Sequence, residues 1–446
     1  MRNKYLSFLQ GAIFILLFFV ALNLNTQAIP SFARQTNMSC NACHTIFPEL
    51  NAFGRQFKLN GYTLVATEIV QAMSDSETVA LRITKSPPIS SMMITSYTNK
   101  SKEQPFTQNG NFSLPQQFSL FYAGAITPNI GSFIQVTYSD QSGKFGLDNS
   151  EIRFADQTEL ANESFTYGLT LNNNPSMQDL WNSTPSWRFP YTTSSVSPNP
   201  MAATLIEGGL AQSVAGLGVY SLWNNLIYTE VTLYRSAQQG AANPPDTTSA
   251  GILKTIAPYW RVALQQQWET FYLELGTFGL SANLYPTGIA GLTNQYTDVG
   301  FDLNIEKVID NNMFTAHGSW IHESRALDAT FQAGEAVNKS GSLDSFRLVG
   351  NYYLHSQIGF SLGYFSITGD GDALLYVPES VNGSVNGMPN SNGFLFEFDY
   401  LPWYNTKLAV QYVAYNKFNG NSTNYDGQGR DASDNNNLYL SCWVAF

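Results

Sequence analysis

The chain has 446 residues and a formal net charge of −11, with 12% charged and 14% aromatic residues. That acidic balance excludes a nucleic-acid binder, which needs a basic surface. A charged share about half of the ~25% usual in soluble domains, at near-neutral mean hydropathy, means that apolar and polar residues are finely mixed, as in strands that face two different media.

Residues 1–28 have the pattern of a secretory signal. Arg2 and Lys4 supply the positive start, Gly11 to Leu22 the apolar stretch, and Thr26-Gln27-Ala28 small residues before a cut. The apolar stretch is too short to cross a bilayer as a helix, which takes about 20 residues. No later segment has an apolar run long enough for a transmembrane helix, so export across at least one membrane is expected.

Next comes SFARQTNMSCNACHTIFPELNAFGRQF, from Ser31 to Phe57. Two of the three cysteines and one of the four histidines sit in Cys40-Asn41-Ala42-Cys43-His44. In an exported chain two thiols could form a disulfide, a redox dithiol or half a zinc site. The adjacent histidine selects among these, because C-x-x-C-H is the attachment pattern of c-type haem. Each thiol adds to one vinyl group, and His44 lies against the iron as proximal ligand. Zinc would need further ligands, and His317, His322 and His355 are far away in sequence. Leu50, Phe53 and Phe57 fall at helical spacing, so a short helix is expected from Pro48 to Asn60, with an aromatic face toward the cofactor. Residues 29–88 are read as a small monohaem domain. They are too few to bury much surface unaided, so they need the cofactor or a wall to lean on.

From about residue 89 the pattern changes to period two. Phe346, Leu348, Gly350, Tyr352 and Leu354 share one face, against Arg347, Val349, Asn351 and Tyr353. Val299, Phe301, Leu303 and Ile305 oppose Asp302, Asn304 and Glu306, and Phe394, Phe396, Phe398 and Tyr400 oppose Glu397 and Asp399. Sixteen strands are predicted, starting near 89, 116, 132, 150, 164, 213, 226, 256, 270, 296, 312, 345, 357, 392, 406 and 436. Short turns alternate with long Gly/Asn/Ser/Asp-rich loops near 172–212, 238–255, 325–344, 370–391 and 418–435. The first of these loops is long enough to hide a further pair of strands. This asymmetry predicts a mainly all-β fold, an antiparallel transmembrane β-barrel of about sixteen strands over residues 89–446, in the lipid bilayer of a bacterial outer membrane. The haem domain would lie at its periplasmic side or inside it. The final strand should turn Leu438, Leu440, Cys442, Val444 and Phe446 outward and Tyr439, Ser441, Trp443 and Ala445 inward. Its terminal Phe resembles a barrel-assembly signal.

Sixteen strands should enclose an aqueous lumen. Glu230, Glu274, Asp298, Asp302, Glu306, Glu397 and Asp399, with Arg153, Arg261, Arg347 and Lys407, are expected to line it as a solvated, self-paired surface. Their acidic excess would draw cations. No catalytic dyad, phosphate loop or nucleophile is visible. The outer loops carry clustered oxygens, Asp370 and Asp372 in one and Asp426, Asp431 and Asp434 in another, which solubility alone would explain.

The stretch from Ile29 to Tyr62 resembles the fused outer-membrane monohaem cytochrome c–porins of iron-oxidising bacteria. The shared run is F-A-R, M-x-C-x-x-C-H, F-P-x-L, F-G and F-K-x-N-G-Y. It covers 34 residues, and over the barrel the likeness is architectural. One departure is Asn37, where many relatives carry Gly. The resemblance implies one covalent haem c on Cys40 and Cys43 with His44 on its iron. It implies electron transfer from extracellular Fe(II) to a periplasmic c-type cytochrome, an Fe(II):cytochrome c oxidoreductase-type activity. The Pro–small–Met segment opening the first strand suggests Met92 as distal ligand, with Met73 next. Met38 is too close to Cys40 to reach that side, and Met93 is the other methionine of the first strand. Two other functions stay open on sequence: electron exchange with a different extracellular donor, and a solute porin with a structural haem plug.

Overall fold

The computed structural model describes residues 30–65, 69–72, 81–84, 87–237 and 245–446. The proposed signal, residues 1–28, and Met73 lie outside the described residues.

Sixteen strands close into a barrel. They are β1 (Ile89–Lys100), β2 (Asn111–Ala125), β3 (Ile130–Ser139), β4 (Lys144–Leu160), β5 (Glu163–Asn172), β6 (Val214–Trp223), β7 (Ile227–Ser236), β8 (Ala257–Gln267), β9 (Phe271–Thr287), β10 (Asn294–Ile309), β11 (Asn312–Ala326), β12 (Ser340–Leu354), β13 (Ile358–Gly369), β14 (Ser391–Trp403), β15 (Thr406–Lys417) and β16 (Asn437–Ala445). Each pairs antiparallel with the next, and β16 closes on β1 from Asn437↔Lys100 to Ala445↔Met92. A four-residue strand, Ala250–Leu253, pairs with the outer end of β9 and prolongs β8 past a break. Closure pairs every ladder group, which is the condition for strands to cross hydrocarbon.

Alternation sorts the side chains as expected. Leu217, Val219, Leu275, Phe301, Leu348, Phe360, Phe396 and others point outward as exposed apolar residues. Such a belt would be unstable in water and suits lipid. Cys442 is on that outer face, while Tyr439, Ser441 and Trp443 are buried inside. All sixteen predicted strands are present. Several begin earlier than expected: β4 at Lys144 rather than near 150, and β2 at Asn111 rather than near 116. There the ladder continues into polar sequence, which hydropathy alternation does not register.

The chain ends of the barrel and the short turns lie at one end, the long loops at the other. Short turns follow β2, β4, β6, β8, β10, β12 and β14. The long segment 173–213 holds no further strand. It folds into the barrel. Met177, Gln178, Asp179, Trp181, Ser183 and Thr184 are almost fully buried there, and Asp298 and Glu323 of the wall accept from the backbone N–H groups of Ile206 and Leu205, each at 2.7 Å.

A barrel of this kind resists detergent unfolding until heated. An unboiled sample of membrane-extracted protein is therefore expected to run at a different position from a boiled one on a denaturing gel. Recovery as a soluble, heat-insensitive species would contradict the closed ladder.

Candidate functional site

The C-x-x-C-H block sits between two short helices, α1 (Ser31–Thr36) and α2 (Ala52–Leu59). Asn37 ends α1 in the left-handed region, φ 55°. Gly enters that region freely and Asn tolerates it better than most other residues. Cys40 to Ala42 form one turn of 3-10 helix, and the Cys40 carbonyl accepts from the N–H groups of Cys43 (3.2 Å) and His44 (3.0 Å). Both cysteines are unpaired and half-buried. Burial pushes both thiols up, Cys43 to about 11, so they stay neutral in the unmodified chain.

His44 Nδ1 lies 3.0 Å from the Pro48 carbonyl. A carbonyl can only accept, so Nδ1 carries the proton and Nε2 keeps its lone pair. A second hydrogen bond that fixes the tautomer is the usual partner of a metal-bound imidazole. The residue keeps some accessible surface, yet burial of the imidazole pushes it down to about 4, so it is neutral, the ligating form. These residues fit a c-type haem: two free thiols on one turn, followed at once by a neutral imidazole with an available nitrogen. Among the described residues no group of three or more His, Cys, Asp or Glu is arranged to hold another metal ion.

The predicted helix starts later than expected, at Ala52 instead of Pro48. Asn51 caps it by accepting from Gly54 N–H at 3.0 Å, and Pro48 instead turns its carbonyl to His44. Gly54 is required by packing, since a Cβ there would lie 2.1 Å from the Cys43 carbonyl oxygen. The aromatic face divides. Phe57 packs on Phe32 and Tyr62 at ring-centroid distances of 5.0 and 5.9 Å, while Phe53 stays exposed.

The whole segment is lodged inside the barrel, near the short-turn end. Arg55 pairs with Glu306 of β10 and lies 4.1 Å over the Tyr272 ring of β9. Lys58 Nζ donates to the carbonyls of Met177 (2.8 Å) and Asp179 (2.7 Å) on the infolded loop. Arg153 of β4 donates to the Lys58 carbonyl at 2.9 Å, Tyr220 of β6 to that of Leu59 at 2.8 Å, and Tyr62 O–H to Glu151 at 2.9 Å. Removing one partner of a buried ion pair such as Arg55–Glu306 costs ~3–5 kcal/mol, so the segment is fixed to the wall.

The predicted lumen residues face inward, but they are not a solvated lining. Ten of the eleven are buried and Arg347 is half-buried. Arg261 is shared by Asp302 (2.7 Å), Glu274 (3.1 Å) and Asp179 (3.8 Å). Lys407 holds Glu397 (2.9 Å) and Asp399 (3.2 Å), and Arg153 holds Glu151 at 2.8 Å. Glu230 accepts from Tyr228 and Thr232, and Arg347 stands 3.9 Å from Glu207. The expectation of water against these groups fails at this level, because the N-terminal segment and loop 173–213 occupy the space.

Met92 points inward, 5% exposed, in a cluster with Ile94 and Trp443 that Phe47 joins. Phe47 is edge-on to both Trp443 (5.0 Å) and His44 (5.3 Å). The cluster that holds Met92 is thus linked to His44 through Phe47. Met93 faces outward and Met38 is exposed. Glu49 and its partners His317, Asn351, Tyr353 and Tyr191 were not visible to sequence reasoning. Glu49 lies inside the F-P-x-L run, but its partners are 142 to 304 residues away. Its burial opposes ionisation, yet His317, Tyr353 and Thr315 outweigh that and hold the carboxyl below its usual range. The loop acids have structural partners. Asp372 accepts from the backbone of Val337, Asn338, Leu374 and Leu375, Asp426 from Val381, Gln428 and Arg430, and Asp434 pairs with Lys102.

Fold and site together define a closed sixteen-stranded antiparallel β-barrel with an apolar outer face, whose own N-terminal segment fills part of the lumen. No family model matches the chain, and no curated protein matches it. Among solved structures it is similar to the channel DcaP of Acinetobacter baumannii, at 13% identity and TM-score 0.43, over 80% of this chain and 96% of that one. It is likewise similar to a loop-deletion form of OmpT of Vibrio cholerae, at 10% identity and TM-score 0.42, over 80% and 98%. At such identity the likeness concerns the barrel alone.

Proposed function

We propose that the chain is an outer-membrane electron-transfer protein of the fused monohaem cytochrome c–porin type. It would take electrons from extracellular Fe(II) and pass them to a periplasmic c-type cytochrome. The observation that carries this reading is the His44 Nδ1–H bond to Pro48, directly behind two unpaired cysteines on one turn, with the whole unit fixed inside a membrane barrel. Cys40 and Cys43 hold the haem covalently, and His44 supplies the proximal nitrogen through Nε2. When bound, the haem supplies one-electron exchange at its iron. Pro48 orients the imidazole, Gly54 lets α2 press on the Cys43 carbonyl, and Arg55, Lys58 and Tyr62 tie the segment to the wall.

Met92 is the proposed distal ligand. Met92→Ala is expected to change the haem spectrum and lower the potential, because a thioether raises the potential relative to a second histidine. An unchanged spectrum would place the sixth ligand elsewhere. The test of the function is anaerobic mixing of purified, oxidised protein with Fe(II), following the haem bands. Reduction by another small donor but not by Fe(II) would favour the alternative-donor function. Ion conductance in planar bilayers without redox cycling would favour a solute porin.

A further inference from the structure

Glu49 is the only acidic residue in segment 30–65, and it is 1% exposed. A lone carboxylate at such depth is costly unless several donors meet it. Here hydrogen-bond donors come from β12 and loop 173–213, and an ion-pair contact comes from β11. Oε2 accepts from Tyr353 O–H of β12 at 2.7 Å, Tyr191 O–H of loop 173–213 at 3.3 Å and Asn351 Nδ2 of β12 at 3.4 Å. Oε1 is 3.4 Å from His317 Nε2 of β11. The backbone on either side is equally tied. Glu49 N–H donates to Ile46 (2.8 Å), and its carbonyl accepts from Thr45 (3.0 Å). The carbonyl just before Glu49, that of Pro48, is the one that receives His44 Nδ1–H.

We infer that Glu49 is the residue through which the barrel wall positions the proximal haem ligand and sets the potential of the iron. The inference rests on the haem reading above. The wall and the infolded loop hold the carboxylate, the carboxylate holds the Ile46–Glu49 turn, and the turn holds the imidazole. A firmly accepted Nδ1–H makes imidazole a stronger donor to a metal. The Glu49 charge acts on the imidazole, and a negative charge near the iron favours the more positive, ferric centre. Both effects lower the midpoint potential. Burial against β11 and β12 prevents water from replacing the donors.

The test uses the full-length, membrane-extracted protein, with haem staining, heat-modifiability, visible spectrum and redox titration read for each variant. Glu49→Ala should keep the covalent haem and the barrel but raise the potential, so that the ferrous-to-ferric ratio at fixed ambient potential rises about tenfold (~59 mV for one electron). Glu49→Gln keeps the shape and loses the charge, so it should restore the wild-type spectrum with only part of the shift. Tyr353→Phe removes one donor with little change in packing. It should shift the potential in the same direction by less, and it carries the test if Glu49→Ala fails to assemble. Haem-loaded variants with unmoved potential and spectrum would overturn the inference while leaving the haem assignment standing. Wild-type protein without covalent haem would overturn both.

Discussion

Replacing Cys40 and Cys43 by Ala together is expected to remove all haem stain from the polypeptide on a denaturing gel. The wild-type chain should give one stained band. The effect should be complete, because denaturation strips every haem not held by a thioether, and the third cysteine, Cys442, points outward from β16. The barrel should survive. Its ladder runs from Ile89 to Ala445, and the anchors of the N-terminal segment, Arg55–Glu306 and Lys58 on the loop carbonyls, do not involve the thiols. The double variant should therefore remain heat-modifiable while losing colour. Stain persisting in it would end the haem assignment, and with it the electron-transfer function. Loss of both stain and barrel would show instead that the segment guides assembly.

The barrel was legible because its signal is local. Side chains two apart share a face, so Phe346, Leu348 and Tyr352 announce the lipid side of β12 without knowledge of any partner strand. The alternation of short turns and long loops then supplies closure and direction. The C-x-x-C-H motif was legible for the same reason, since Cys40, Cys43 and His44 are contiguous in the chain. Structure set by distant partners was not legible. Nothing near Glu49 points to Tyr353, 304 residues on. Loop 173–213 has no periodicity to show that it turns inward, and its Asp179 and Trp181 read as ordinary loop residues until the wall encloses them. The charged residues facing the lumen were found, but their surroundings were not. Alternation tells which way Asp302 or Lys407 points and says nothing of what fills the space in front of it. The same limit explains the histidines. His317 is far from the C-x-x-C-H block in sequence, yet the fold brings it to Glu49 because the N-terminal segment is inside the barrel.

In liposomes whose inner space faces the short-turn end of the barrel, externally added Fe(II) is expected to reduce the haem rapidly, with no reductant inside. Oxidised iron is insoluble near neutral pH, so a cell gains by leaving it outside, and that requires a redox centre reachable from the outer face. The geometry makes this a demanding test. Met92 lies near the short-turn end of β1, and Lys100 at the far end is eight residues away, roughly 26 Å along the strand at ~3.3 Å per residue. A donor held at the outer rim would be far from His44, so Fe²⁺ has to come into the mouth. The chain's net charge of −11 favours a cation there. Raised ionic strength should therefore slow the reduction, since screening weakens such attraction. Reduction only when the short-turn face is exposed to Fe(II) would reverse the direction of flow. No reduction from either side, in protein that dithionite reduces, would remove Fe(II) as the donor and leave the haem to a different extracellular partner.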